Sequence, residues 1–197
     1  KHPSAPLPVT IGHEFAGEVV SIGKEVKDLA AGDHVVGDPV ISCDNCYPCT
    51  VSRHNVCINL KALGVHTDGA FREYIVLPQE NVHKIPNDIS WEDAALIEPF
   101  TISAQVVWRG GVTEKETVFI MGAGPIGLCI LQAVKRIGAR CFISDLIDQR
   151  LEMAKNFGAD MVINADKQDV NQAVLDATGG AGVPVVIDSV CIPQSFE

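Results

Sequence analysis

Apolar positions along this chain change their rhythm near Thr117. Before it, short apolar stretches alternate with polar residues and end in glycine or proline, the pattern of strands joined by turns. Ile11 to Gly23 opens on a polar His13-Glu14 pair and continues as a strand bounded by Gly17 and Gly23. Ala31 to Val36 reads as a turn into a strand with Asp38 to Ile41 as its edge, and Ala70 to Leu77 alternates as a further strand towards Pro78. Leu63 to Gly69 is a loop closed by an Asp-Gly turn, and its His66 is a candidate to face a substrate, against the plainer reading of a solvated histidine. Lys1 to Pro8 holds three prolines and reads as an irregular lead-in. Ser90 starts a helix, with Asp93 three residues on as an acidic capping partner, and Ala94 to Ile97 carry it to Glu98-Pro99. Thr101 to Trp108 forms a second helix, and Gly110-Gly111 is the expected domain boundary, giving domains 1–109 and 110–197.

Beyond that boundary, compact apolar runs alternate with stretches of helical period. Val118 to Ile120, Cys141 to Ser144, Met161 to Asn164 and Val183 to Asp188 read as strands. Pro125 to Gly138, Gln149 to Phe157 (stopped by Gly158) and Asp169 to Thr178 read as helices. In the first of these helices Ile126, Ile130, Ala133, Val134 and Ile137 mark one apolar face. The order βαβαβαβ implies a parallel, doubly wound sheet with a ligand crevice at its carboxyl ends, where Gly122, Asp145 and Asp188-Ser189 gather.

The first turn of this sheet carries specific chemistry. Gly122-Ala-Gly124-Pro125-Ile126-Gly127 is a G-x-G-x-x-G between strand and helix, where bare N–H groups and the helix dipole favour a pyrophosphate. Gly122 makes the turn, Gly124 lets a ligand approach and Gly127 lets helix and strand pack. Asp145 ends the next strand, close to the roughly 20-residue interval expected of the acid that binds a ribose 2′-hydroxyl, and it favours NAD over NADP. An ordinary tight turn is the competing reading. Arg150 is a candidate phosphate partner, or else a solvated helix residue.

In the first half, Cys43, Cys46, Cys49 and Cys57 follow C-x2-C-x2-C-x7-C among residues that build no core. Four thiolates close a tetrahedron around one Zn2+ and leave no open position, so the ion would brace the loop; a disulfide pair and an iron–sulfur cluster are the alternatives. His13 and Glu14 are capable ligands, but neighbours on a regular strand point to opposite faces, so both reach one ion only if the backbone turns. Glu98 closes an apolar run before a proline, where burial is costly unless a cation or donors meet it; the alternative is an exposed helix-end carboxylate.

Composition narrows the function classes. A 47% hydrophobic content supports real cores, and the longest apolar run, Val118 to Leu131, is interrupted by glycines and a proline and is too short for a membrane span of about 18 residues. A net charge of -10 with no basic run argues against nucleic acid. Seven cysteines, an odd number and mostly clustered, suit metal thiolates in a reducing compartment, so a cytoplasmic protein is expected. Cys129, Cys141 and Cys191 read as small core residues. A chain that begins at Lys1 and ends within an alternating αβ series is expected to be part of a longer polypeptide.

Gly12 to Val20, the four-cysteine lobe, Gly64 to Tyr74, Ala94 to Pro99 and Gly122 to Gly127 together resemble zinc-dependent medium-chain alcohol dehydrogenases. The branch looks like the polyol, threonine and sugar-acid dehydrogenases, and Leu63 to Gly69 is similar to bacterial galactonate-type and starvation-sensing oxidoreductases. The resemblance implies a GroES-like β-barrel catalytic domain followed by a Rossmann nucleotide domain, both truncated, and a homo-oligomer. It also implies a catalytic zinc held by an upstream cysteine, His13 and Glu14, with Glu98 at or beside the open position. The upstream cysteine has no counterpart in this sequence. The implied activity is hydride transfer between a secondary alcohol and NAD; the competing reading is an inactive NAD-binding regulator or structural protein with a single structural zinc.

Overall fold

The computed structural model describes residues 6–193, so the lead-in expected over Lys1 to Pro8 lies mostly outside the described residues. The chain divides into two compact units, Lys1–Glu98 and Pro99–Glu197.

In the first unit, β1 (Ala16–Glu18), β2 (His34–Gly37) and β5 (Val82–Lys84) form an antiparallel sheet in the order β1-β2-β5. A ribbon pairs β3 (Val40–Ile41) with β4 (Lys61–Ala62), and the short helix α1 (Tyr47–Thr50) lies between them in sequence. Hydrogen bonds from Val19 N to Asp33 O and from Gly32 N to Val19 O extend the β1–β2 pairing only slightly, so the strand expected up to Gly23 stops early. The strand expected over Ala70 to Leu77 does not form. Ala70 N and Phe71 N bond back to Gly12 O and Ile11 O, but no ladder follows among the described residues, and Phe71, Tyr74 and Val76 are exposed. Alternation alone makes no strand, because the backbone groups need a neighbour to pair with.

Helix α2 (Trp91–Ala95) begins as expected. Ser90 Oγ accepts from Asp93 N at 3.1 Å and donates to Asp93 Oδ2 at 2.7 Å, satisfying a helix-start donor. It buries Ala94 against Val36 and Ile85. The apolar run beyond it does not continue the same helix. A new one, α3 (Ile97–Arg109), starts after Leu96, so Glu98 and Pro99 lie in its first turn, where proline loses no hydrogen bond. Val107 of α3 packs into the core of the second unit. The division between units accordingly falls at Glu98/Pro99, a helix ahead of Gly110-Gly111.

The second unit runs β6 (Thr117–Met121), α4 (Pro125–Ile137), β7 (Arg140–Asp145), α5 (Asp148–Asn156), β8 (Met161–Asn164), α6 (Val170–Ala177) and β9 (Val185–Asp188). All pairings are parallel, in the order β8-β7-β6-β9. The two-residue period splits each central strand between two cores. Val118, Ile120, Cys141 and Ile143 face one core with α4 residues Ile130, Leu131 and Val134 and α5 residues Leu151 and Ala154. Phe119, Phe142 and Ile163 face the other with Val174 of α6. Two crossovers on one face lead outward to β8, and the third, on the opposite face, returns to the far side of β6. This reversal is the doubly wound arrangement, and it puts the switch point between β6 and β9.

Details of the apolar pattern differ from expectation. In α4, Ile130 and Val134 are core, Leu131 is fully buried, and Ile137 is substantially exposed at the helix end. Cys129 and Cys141 are buried core residues, but Cys191 is exposed. It lies past β9, where Asp188 Oδ1 accepts from both Val190 N and Cys191 N and turns the chain away from the sheet. No helix among the described residues is long and apolar enough to cross a membrane.

Candidate functional site

The first candidate centre is the cysteine lobe. Cys46 caps α1, Cys49 sits within it, and Cys57 follows a 3-10 turn at His54–Val56. The four sulfurs lie within 4.8 Å of one another. Neighbouring Sγ–Sγ distances are 3.4 Å for Cys46–Cys49, 3.8 Å for Cys46–Cys57 and 3.5 Å for Cys43–Cys57. A disulfide needs about 2.05 Å, whereas Zn–S bonds of about 2.3 Å give tetrahedral edges of about 3.8 Å. The spacing fits one tetrahedral ion and leaves no room for the irons and sulfides of a cluster.

Amide donors converge on these sulfurs. Cys43 N and Asn59 N donate to Cys57 Sγ, each at 3.3 Å, and Asn59 Nδ2 donates to Cys43 Sγ at 3.5 Å. The backbone N–H of Asn45, then the Asn59 side chain, bring the Cys43 thiol down to about 6, while burial and the neighbouring sulfurs push Cys49 up to about 12. Four thiolates cannot ionise together unaided at neutral pH, and a divalent cation is what lets them do so. Beside the lobe, His54 Nδ1 lies 3.2 Å from both Asp44 Oδ1 and Ser42 Oγ, linking its two ends.

His13, Glu14 and Glu98 all belong to the first unit. The objection from strand geometry does not apply, since β1 starts only at Ala16 and the pair sits in irregular backbone after Gly12, whose φ is 95°. Hydrogen bonds hold the segment just before the pair: Gly69 N to Thr10 O at 2.7 Å, Ala70 N to Gly12 O at 2.8 Å and Thr10 N to Asp68 Oδ1 at 2.8 Å. A Cβ on Gly69 would stand 2.1 Å from Gly12 O, so the Asp-Gly turn read in the sequence is a packing requirement for the histidine segment. His66 is held within its own loop, its Nδ1 accepting from Ala62 N at 3.0 Å.

Glu98 is half-buried in the first turn of α3, which replaces the expected position at a helix C-terminus. Burial pushes its carboxyl above the ordinary range; the charge of His13 opposes this, and those of Glu14 and Asp38 add to it. His13, Glu14 and Asp38 are thus near enough to act on Glu98 through their charges. Sequence reasoning missed Asp38, whose only signal was an acid at the β2–β3 corner before Pro39. Among the described residues, the donor sets closed to within 4.8 Å are the four cysteines and Asp44-Cys49-His54, so His13, Glu14 and Glu98 form a looser group. One imidazole and two carboxylates still suit the donor set of an open zinc site.

The glycine turn joins β6 to α4. Gly122 has φ 95°, its N–H donates to Ser144 O at 2.8 Å, and an added Cβ would meet Val190 and Ser189 within 2.8 Å. A Cβ on Gly127 would stand 1.9 Å from Gly122 O. At Gly124, the N-cap of α4, nothing lies within 4 Å of an added Cβ, so space is open over the turn. Pro125 takes the first helical position and Ile126 packs against the core. The N–H groups of Gly124, Ile126 and Gly127 precede the first bond of the helix, Leu128 N to Gly124 O, and among the described residues they suit an anion.

Asp145 lies at the end of β7 with a nearly buried side chain. Its Oδ2 accepts from Ala123 N at 2.8 Å and its Oδ1 from Ile147 N at 2.9 Å, which ties the turn to the neighbouring strand. Arg150, on α5, approaches Asp145 Oδ2 at 3.5 Å, so it is paired with the acid and is not merely solvated. From the other side, Ser189 donates to the turn at Met121 O. Gly122, Asp145 and Ser189 therefore meet at the switch point.

Two families of known proteins match the chain. The alcohol dehydrogenase GroES-like domain family matches residues 1–87, and the zinc-binding dehydrogenase family matches residues 125–197. The starvation-sensing protein RspB of Escherichia coli K12 is 43% identical over 198 residues, covering 100% of this chain and 58% of its own. The L-threonine 3-dehydrogenase of Pyrococcus horikoshii is 42% identical, covering 96% of this chain and 55% of its own. The solved structure of a protein described as the short chain alcohol dehydrogenase RspB of E. coli CFT073, complexed with NADH, superposes with a TM-score of 0.86 at 44% identity over 93% of this chain and 54% of that one. The chain thus spans about half the length of the curated relatives it matches. With a GroES-like match over residues 1–87, which hold the cysteine and histidine motifs, and a zinc-binding dehydrogenase match over residues 125–197, this chain belongs to the zinc-dependent medium-chain alcohol dehydrogenase family.

Proposed function

We propose that the full-length protein reversibly oxidises a secondary alcohol of a polyol or sugar acid with NAD as the hydride acceptor. The observation that carries this reading is the four-cysteine lobe closed to within 4.8 Å in the first unit, together with the glycine turn that Asp145 holds in the second. His13, Glu14 and Glu98 would hold a catalytic zinc, and Cys43, Cys46, Cys49 and Cys57 a structural one. When bound, zinc supplies Lewis acidity to the alcohol oxygen and NAD accepts the hydride.

The residues of the chain do the rest. Glu14, exposed beside half-buried His13, would relay the alcohol proton to solvent with the carboxylate oxygen not given to the metal. The N–H groups of Gly124, Ile126 and Gly127 receive the pyrophosphate. Asp145 keeps lone pairs for the ribose hydroxyls beyond those used by Ala123 and Ile147, and its carboxylate repels a 2′-phosphate. Arg150 steadies that acid. The protein acts on a small molecule, with no role for nucleic acid, as a cytoplasmic homo-oligomer; a net charge of -10 supports this choice of partner.

NADH formation by the full-length protein across a panel of polyols and sugar acids tests the reading. Turnover on at least one class supports it. No turnover on any, with NADH still bound, overturns it in favour of an inactive NAD-binding regulator.

A further inference from the structure

We propose that Ser189 is a positioning residue for the cofactor, holding the glycine turn in the shape that receives a pyrophosphate; this rests on the NAD-binding reading above. Ser189 follows β9, across the switch point from the turn. Its Oγ donates to Met121 O at 2.7 Å and lies 3.2 Å from Gly122 O, and its backbone N donates to Met121 O at 3.0 Å. The hydroxyl also fills the space at the two packing glycines: an added Cβ would come within 2.8 Å of it at Gly122 and 3.1 Å at Gly127.

The consequence follows from peptide geometry. A trans peptide points its C=O and the next N–H in opposite directions. With Gly122 O drawn towards Ser189, Ala123 N–H turns the other way, where Asp145 Oδ2 receives it at 2.8 Å. Both flanks of the turn are thereby fixed, from β9 by a hydroxyl and from β7 by a carboxylate. The N–H groups of Gly124, Ile126 and Gly127 precede the first bond of the helix, beside the open space over Gly124. Releasing the Ser189 flank takes away the one hydroxyl proton that Met121 O and Gly122 O share and frees the first peptides of the turn to rotate. The loss falls on the ligand group that needs those N–H groups in register.

The test uses the full-length protein and its Ser189→Ala variant, with NADH, ADP-ribose and adenosine as titrants. The expected result is a Kd for NADH and for ADP-ribose raised about fivefold, the size of one lost hydrogen bond, with adenosine binding unchanged because it carries no pyrophosphate. Equal affinity of wild type and variant for NADH overturns the proposal. A parallel weakening of all three titrants also overturns it, since that marks a general loosening of the domain. Failure of the wild type itself to bind NADH is a different outcome, which overturns the NAD-binding reading on which the proposal stands.

Discussion

Replacing Gly127 and Gly124 by alanine, one at a time, separates two jobs of the nucleotide turn. At Gly127 the new Cβ would sit 1.9 Å from Gly122 O, about 1.5 Å inside ordinary contact. The obstructing atom is a backbone carbonyl, so no rotamer change relieves the clash, and α4 must move away from the end of β6. Overpacking in close-packed interiors costs about 1–3 kcal/mol, and a backbone obstruction belongs at the upper end or beyond. About 3 kcal/mol corresponds to a melting temperature lower by roughly 6–12 °C in a domain of 150–250 residues. At Gly124 the new Cβ meets nothing within 4 Å and φ is -72°, so the folded chain accepts it at a cost of at most about 1 kcal/mol for the altered N-cap. That methyl does occupy the space left for the pyrophosphate, and NADH affinity falls by about tenfold or more, as for a bulky group placed in a close-packed contact. Thermal melts without ligand, paired with NADH titrations, read both effects. Gly127→Ala melting with wild type, or Gly124→Ala binding NADH as wild type does, would contradict the assignment of packing to one glycine and ligand approach to the other.

Other consequences are smaller. Asp160 Oδ2 accepts from Lys135 Nζ and Cys141 N, each at 2.7 Å, and although burial pushes its carboxyl up, these bonds hold it below the ordinary range. Its unfolded value is about 3.9, so the stabilisation is complete above that pH and is lost as pH falls through the lower folded value. Asp160→Asn therefore costs about 1 kcal/mol at neutral pH, after screening at this partly exposed pair, and denaturation curves of variant and wild type converge as pH falls below the ordinary carboxylate range. Ser90→Ala removes the cap of α2 and costs about 1 kcal/mol, read as a lower denaturation midpoint.

The second unit was largely legible in the sequence because each of its signals is local. A strand of Val, Phe and Ile, a glycine turn, a proline at the helix start and Gly138 at its end, with φ 91°, specify their own backbone. What escaped depends on contacts between distant segments. Ala70 to Leu77 has the alternation of a strand, but a ladder requires a partner that its own residues cannot supply. Leu96 was read as continuing one helix, whereas a second helix restarts at Ile97 and carries Glu98 into its first turn. The cysteine spacing announced a metal lobe by itself, yet the donation from Asn59 to Cys43 spans 16 residues and left no trace in the pattern. The effect of the Asp38 charge on Glu98 was hidden for the same reason. Cys191 looked like core by composition, and a side-chain turn at Asp188 put it on the surface.

The central claim is that this chain supplies ligands to two different zinc ions, one held by four thiolates and one by His13 with carboxylates. Zinc counted per chain in the purified full-length protein and its His13→Ala variant tests it most directly. The account predicts two ions in the wild type and one in the variant, with the cysteine-held ion retained. A single ion in both proteins would contradict it.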